Sequence, residues 1–432
     1  MLARVIAIAF VLGALGACDK PSHEHIDTWT HTEHGKAKLV DAFEDDHLDP
    51  DLAGHAGANL LRMGDTADVT SGLGRMQPAR REAVVAKIAS RMWDAARVDG
   101  DMTVPHTDQI QAKDSLVMLR KQADEATRAQ IDAYLTDWYC VRSYERRAAM
   151  GAVLGATVVR MIGPPAGKKL EPIVDAIITA PANGPNGTKH ERVGDELLLA
   201  LAASGSPEAA KYLVDLAKMK TPDETLAERA LEALYKAYVD PEGLFDVQSP
   251  GALVPNLPGL VAIARDPAAG DAAAYAMKLI RTIGPPACID PLVQLVGYPH
   301  PNPNFKLVAA DSALKCGGIP AIDPVVHALP DVAYSRDDLF GAVASITKMT
   351  PPAKVEEVMR GLLADKGRIP RWVAIEVLAA MKSTADAPAI AAISSSEKLT
   401  GFWGNQSGVD PKDRKPDPTL GQRAKELAAT LK

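Results

Sequence analysis

Apolar residues along this chain recur at helical rather than strand spacing. Segments such as Arg81 to Ala96 and Ala123 to Trp138 repeat hydrophobic positions three and four residues apart, which gathers them on one face of an α-helix. The Ala-rich stretches Ala273 to Ile283, Phe305 to Lys315 and Val373 to Met381 read as helices too, as do the shorter runs Pro291 to Val296 and Pro324 to Leu329. Gly and Pro punctuate these runs in a repeating way. Ile162-Gly163-Pro164-Pro165-Ala166 recurs as Ile283-Gly284-Pro285-Pro286-Ala287, with looser versions at Gly205-Ser206-Pro207, Gly318-Ile319-Pro320 and Thr350-Pro351-Pro352. Gly284, Gly317, Thr350 and Ser383 fall at steps of 33 residues. Gly163 to Gly205 spans 42 and Gly205 to Gly284 spans 79, room for two longer units meeting near Asp240-Pro241. A fixed period of this size is the signature of a solenoid.

Each unit reads as a helix pair opened by the Gly-Pro signal. At Asp290-Pro291 and Asp323-Pro324 the acidic residue is expected to cap a helix and Pro to take its first position, where a missing N–H is harmless. The preceding Gly suits the end of the previous helix. An early unit runs from Lys38 to Glu44, turns at Asp49-Pro50 and returns from Leu52 to Met63. The phase is hard to follow between Thr66 and Tyr144. Ala180 to Lys189, Pro241 to Pro258 and Tyr298 to Asn304 are rich in Pro, Gly and Asn and are expected as loops. A polar stretch from Gly401 to Pro418 precedes a last helix, Gly421 to Leu431, whose Arg423, Lys425 and Glu426 suit a capping element with one wet face.

The spacing, the Gly/Pro punctuation and the Ala/Leu-rich second helices resemble HEAT repeats, particularly the short bacterial type of phycobilin lyase-like proteins. The resemblance covers roughly residues 36 to 393 and implies an all-α fold, an armadillo/HEAT-like α-solenoid of about eight to ten antiparallel helix pairs. Tetratricopeptide repeats have a similar period, but their Trp and Leu-Gly signature is missing and Pro opens a unit here rather than closing one.

The N-terminus carries an address. Arg4, the apolar run Val5 to Leu15, and the small residues Gly16 and Ala17 before Cys18 have the shape of a signal peptide. Leu15-Gly16-Ala17-Cys18 resembles the lipobox of bacterial lipoproteins, which implies acylation of Cys18 and a protein tethered to the inner or outer membrane of a bacterial envelope. The expected order is then residues 1–17 as leader, 18–35 as a His-rich tether, 36–393 as the repeat array, and 394–432 as polar loop and capping helix.

Charge and composition narrow the function. The formal net charge is −7, or −8 without Arg4 of the leader, which argues against nucleic acid as the main partner. Only 5% of residues are aromatic, so Ala, Leu, Val and Ile must fill the core, as suits close-packed helices. Six of the ten histidines lie between His23 and His55. His23, His25, His31 and His34 could offer imidazole nitrogens to zinc or copper, although their spacing matches no defined site and a polar tether accounts for them. His47 and His55 fall inside the first helix pair.

Cys288 and Cys316 sit at the start and end of one helix pair, so a disulfide between them would bring two neighbouring ends together; Cys140 is left over as a buried thiol. Basic residues stand near unit ends at Arg62, Arg160, Arg281, Lys315, Lys348 and Lys382. The helix dipole favours cations there, and a regular stack would align them along one edge as an interaction surface.

The chain contains no His-Glu-x-x-His, Walker loop or nucleophile elbow, and Gly72-Leu73-Gly74 meets Gln77 where a third Gly would complete a dinucleotide motif. No catalytic residues and no cofactor are implied. The expectation is a non-catalytic scaffold for a protein or peptide partner, with a metal-binding lipoprotein and a phycobilin lyase-like enzyme as the alternatives.

Overall fold

A computed structural model describes residues 21–182, 190–239, 248–302, 304–330, 336–399, 402–403 and 408–431. Cys18 and the leader lie outside them. The described residues are all-α: 23 α-helices and short 3₁₀ turns, with one isolated antiparallel bridge between Lys398 and Thr419. No described helix is long and apolar enough to cross a membrane. The chain divides between Ile173 and Val174 into two compact units.

The first unit contains α1 (His23–Trp29), α2 (Gly35–Glu44), α3 (Pro50–Arg62), α4 (Thr66–Arg75), α5 (Pro78–Ala96), α6 (Thr107–Leu119), α7 (Glu125–Tyr139), α8 (Tyr144–Ala148), α9 (Gly155–Ile162) and the start of α10 (Pro164–Ile178). Its hub is α3, which packs against α1, α2, α4, α5 and α6. The reason is its small residues: Ala53, Gly54, Ala56, Gly57 and Ala58 are all buried. A Cβ on Gly54 would lie 2.5 Å from Cβ of Lys87, so α5 approaches α3 only because that atom is missing. Asp49 starts α3, its carboxylate accepting from the backbone N–H of Asp51 at 2.7 Å while Pro50 opens the helix.

The second unit continues with α11 (Asp195–Ala203), α12 (Pro207–Leu216), α13 (Leu226–Tyr238), α14 (Leu257–Arg265), α15 (Asp271–Ile283), α16 (Ile289–Val296), α17 (Phe305–Gly317), α18 (Ile322–Ala328), α19 (Arg336–Thr347), α20 (Pro352–Leu363), α21 (Arg368–Ala380), α22 (Ala387–Ala391) and α23 (Leu420–Thr430). Two rows of contacts run through it. The Ala-rich second helices touch in order, α11 to α13 to α15 to α17 to α19 to α21 to α23. The first helices do likewise, α12 to α14 to α16 to α18 to α20. Helices α15, α17 and α21 end near glycine or a left-handed residue: Gly284 (φ 81°), Gly318 (φ 60°) and Lys382 (φ 59°). Gly163 does the same after α9 with φ 83°, a conformation in which a Cβ would be strained.

Three expectations need correction. Helices α16 and α18 start two residues earlier than the Asp-Pro signals suggest, with Cys288 and Ala321 at the N-cap positions and no side-chain cap. Asp290-Pro291 and Asp323-Pro324 lie inside the first turn instead, where Pro still lacks nothing and the carboxylates still face the positive end of the dipole. Residues 241–247 of the Pro241–Pro258 stretch lie outside the described residues, and the rest holds a 3₁₀ turn over Pro250–Asn256 followed by the start of α14. Residues 23–29 are not a solvated linker but helix α1, whose Ile26 is fully buried and which packs on α2 and α3.

Candidate functional site

The row of second helices carries the most recognisable surface. In α13, Leu226, Ala230, Leu231, Ala233, Leu234, Ala237 and Tyr238 are buried, which turns Glu228, Glu232, Tyr235 and Lys236 the other way. In α15 the small buried residues Ala272, Ala273 and Ala276 bring the helix close, leaving Tyr275 and Lys278 half-buried on the corresponding side. The rings of Tyr235 and Tyr275 are 5.7 Å apart, and the Lys278 ammonium lies 5.1 Å and 4.9 Å from their centres. Glu232 pairs with Lys236 at 3.2 Å. Partial burial, Glu232 and Glu228 together push the Tyr275 phenol above its ordinary value, so it stays a neutral hydrogen-bonding group. Two tyrosines clamped by a lysine form a rigid, amphipathic contact patch, the side-chain chemistry enriched where proteins bind proteins.

The basic residues fall at helix ends. Arg281 is in the last turn of α15, Lys315 in that of α17, Lys348 just follows α19, and Lys382 follows the C-cap of α21. These four helices touch consecutively. Lys315 is tied to Asp311 at 2.7 Å, and Asp311 also accepts from Ser345 of α19 at 3.0 Å, so part of this positive edge is neutralised by the scaffold itself. Arg160 and Arg62 close α9 and α3 in the other unit. Arg62 donates to Asn59 at 3.4 Å.

The histidines divide. His25, His31 and His34 do not converge with His23, and among the described residues no group of three or more His, Cys, Asp or Glu side chains is arranged to hold a metal ion. His23 instead meets His55, Nδ1 to Nδ1, at 2.8 Å. Its Nε2 lies 3.1 Å from Asp51, and Nε2 of His55 lies 2.7 Å from Asp27. The sequence pattern puts His55 inside the first helix pair without a partner, and it singles out neither Asp27 nor Asp51. The available signal was a large polar residue inside a helix of Ala and Gly, which must face something polar to be buried.

Cys288 and Cys316 are joined as a disulfide, their Cα atoms 6.5 Å apart, tying the start of α16 to the end of α17. Cys140 is free, and burial pushes its thiol up to about 12. A second cluster centres on Trp138, with Lys113 5.2 Å and Arg147 5.6 Å from its ring centre. Lys113 is wholly buried and donates to Asp114 at 2.6 Å and to the Met150 carbonyl at 2.9 Å. Burial lowers its pKa against the pull of Asp114. Arg147 donates to the carbonyls of Trp138 and Gly100 at 2.8 Å and 3.0 Å. These cations bolt α6, α7 and α8 together.

A groove of about 620 Å³ beside α14 is lined by Lys218, Lys220, Asp223, Glu224 and Asp266 among others. Two of its charges are committed to ion pairs: Lys218 with Asp215 at 2.6 Å and Asp223 with Arg229 at 2.8 Å. The chain matches no protein-family model and no curated protein.

Proposed function

We propose that this chain is a lipid-anchored scaffold of a bacterial cell envelope, whose HEAT-like helix pairs offer a protein or peptide partner an extended surface along the row of second helices. The observation that carries this reading is the Tyr235, Tyr275 and Lys278 patch, placed on two adjacent members of a row in which each helix touches the next. A stack of this kind adds surface with every unit, and it sets aromatic and cationic anchors on rigid helices rather than on loops. The lipobox-like Leu15-Gly16-Ala17-Cys18 supports confinement of that surface near a membrane.

A photoreactive amino acid in place of Lys278, in cells expressing the full chain, tests the surface. Capture of a defined envelope protein, lost with Tyr235→Ala plus Tyr275→Ala, is the expected result. Crosslinks that are absent, or unchanged by the double substitution, refute it. Incorporation of labelled palmitate, compared with Cys18→Ser, tests the anchor separately.

A further inference from the structure

Helix α1 is fastened to α3 by a line of four side chains, two from each helix. Asp51 and His55 lie on α3, His23 and Asp27 on α1, and the order in space is Asp51, His23, His55, Asp27, with contacts of 3.1, 2.8 and 2.7 Å. Both carboxyls are ionised. Burial pushes Asp27 up, but the Asn59 amide, His55 and Arg62 outweigh it and hold the group below its ordinary value. Burial likewise opposes ionisation of Asp51, and Arg91, Lys87 and His23 overcome it.

An ionised carboxylate only accepts, so each outer contact uses an Nε2–H. A neutral imidazole has a single ring hydrogen, which would leave two bare Nδ1 lone pairs facing each other. The 2.8 Å contact between them therefore needs one hydrogen more. With that third hydrogen the two rings would form a single, shared imidazolium. It is matched on either side by a carboxylate.

We propose that His23 and His55 form an acid-opened latch, which holds α1 on α3 while the two rings share three ring hydrogens and releases it when acid supplies a fourth. In the doubly charged pair an N–H would point at an N–H across the same gap, between rings whose centres are 5.0 Å apart. The surroundings bias the outcome. From α5, Arg91 and Lys87 approach Asp51, each at 3.5 Å, and Arg91 adds positive charge near His55. Asp27 opposes them from α1, and Glu24 and His25 lie on the same helix. Arg62 of α3 acts on Asp27, and Lys38 of α2 sits 5.9 Å from the Trp29 ring.

Burial first, then Arg91 and His23, lower the His55 pKa below its ordinary 6.5 against the pull of Asp27. Because His55 takes a further hydrogen less readily in the docked helix than in the released one, docking weakens as pH falls below 6.5 toward the folded value. Two contacts do not titrate with the rings: buried Ile26, and Asn59 donating to the Ile26 carbonyl at 3.4 Å. If Cys18 carries the anchor proposed above, release lets residues 19–34 extend by at most about 3.5 Å each, a total span of at most roughly 55 Å.

The test is amide exchange of the full lipidated chain in detergent at about pH 7.5 and about pH 5, with rates corrected for intrinsic chemistry. Residues 23–29 are expected to lose at least about tenfold protection in acid while α5 keeps its own. His23→Gln, which removes the facing ring but keeps Ile26, should shrink the acid step several-fold. Unchanged rates in the wild type, an acid step that His23→Gln leaves at full size, or ¹⁵N spectra showing both Nδ1 atoms bare at neutral pH each overturn the latch. So does a zinc or copper ion bound between the rings. None of these readouts depends on acylation or on a captured partner, so failure of the latch and failure of the scaffold reading are separable.

Discussion

Removing Arg423 should loosen the C-terminal end of the second unit far more than removal of an ordinary surface charge. The guanidinium of Arg423 on α23 grips the carboxylate of Glu376 on α21 with both arms, at 2.7 Å and 3.0 Å, and donates to Glu426 at 2.7 Å. Glu376 is 3% exposed and Arg423 9%. Burial opposes the charge on Arg423, but Glu376 and Glu426 more than offset it and raise its pKa. Arg423→Ala would strand a buried carboxylate, a loss of about 3–5 kcal/mol. By contrast, Lys211→Ala breaks an exposed pair with Asp215 and should cost about 0–1 kcal/mol. Replacing both buried partners by Met removes the charge and its desolvation together, and should recover most of the loss. Urea unfolding gives the totals, and amide exchange over 420–430 locates them. At about 1.36 kcal/mol per factor of ten, the single variant should open α23 roughly 10²- to 10⁴-fold more often. An Arg423→Ala protein within about 1 kcal/mol of wild type, or a double variant no better than the single one, would refute the reasoning.

Further outcomes follow from the same contacts. Gly54→Ala should destabilise the first unit, because overpacking at 2.5 Å from Lys87 Cβ costs about 1–3 kcal/mol against a helix-propensity gain of about 1. Gly74→Ala on α4 meets nothing within 4 Å and should be neutral or stabilising in the same thermal melt. Cys316→Ser opens a loop spanning 28 residues and should cost about 3–4 kcal/mol, read as a lowered midpoint that reducing agent also produces in the wild type. The Asp323 carbonyl and the Asp365 carboxylate raise the pKa of His327 above 6.5, so the tie it makes from α18 is complete below 6.5 and lost as pH rises through the folded value. Proton NMR titration should show this shift, and Asp365→Asn should reduce it.

What the sequence reveals follows from where the determinants sit. The helix pairs of the second unit are legible because their ends are marked by residues with a backbone role, such as Gly284 and Gly318 at positive φ, and because buried Ala recurs along α15 and α17. The proximity of Cys288 and Cys316 follows from the same phase. Helix starts are misjudged where two residue types fit a cap equally well: Asp290 suits an N-cap, but Pro291 tolerates any place in the first turn, so the helix begins at Ile289. Arg423 reads as a wet-face residue because a pattern shows which residues share a face, not which face a neighbour covers. His23 and His55 are 32 positions apart, and only the packing of α1 on α3 brings them into contact.

Large buried side chains are unevenly spread along the chain. Among the described residues, the fully buried aromatics are Phe43, Trp138, Tyr139, Tyr144, Tyr238, Trp372 and Phe402. None lies between Tyr238 and Trp372, where Gly284, Gly317 and Thr350 keep the 33-residue step, although Phe305 there is only 5% exposed. At Trp138 and Phe402 the buried aromatic rings have cations beside them. Lys113 and Arg147 lie on Trp138, and Arg423 lies 5.4 Å from Phe402. A buried cation is stable only with its partners in place, so these joints tolerate substitution less well than the Ala-lined interfaces. Lys113, Arg147 and Arg423 beside Trp138 and Phe402 thus fix buried joints, whereas Tyr235, Tyr275 and Lys278 group on the half-buried side of α13 and α15.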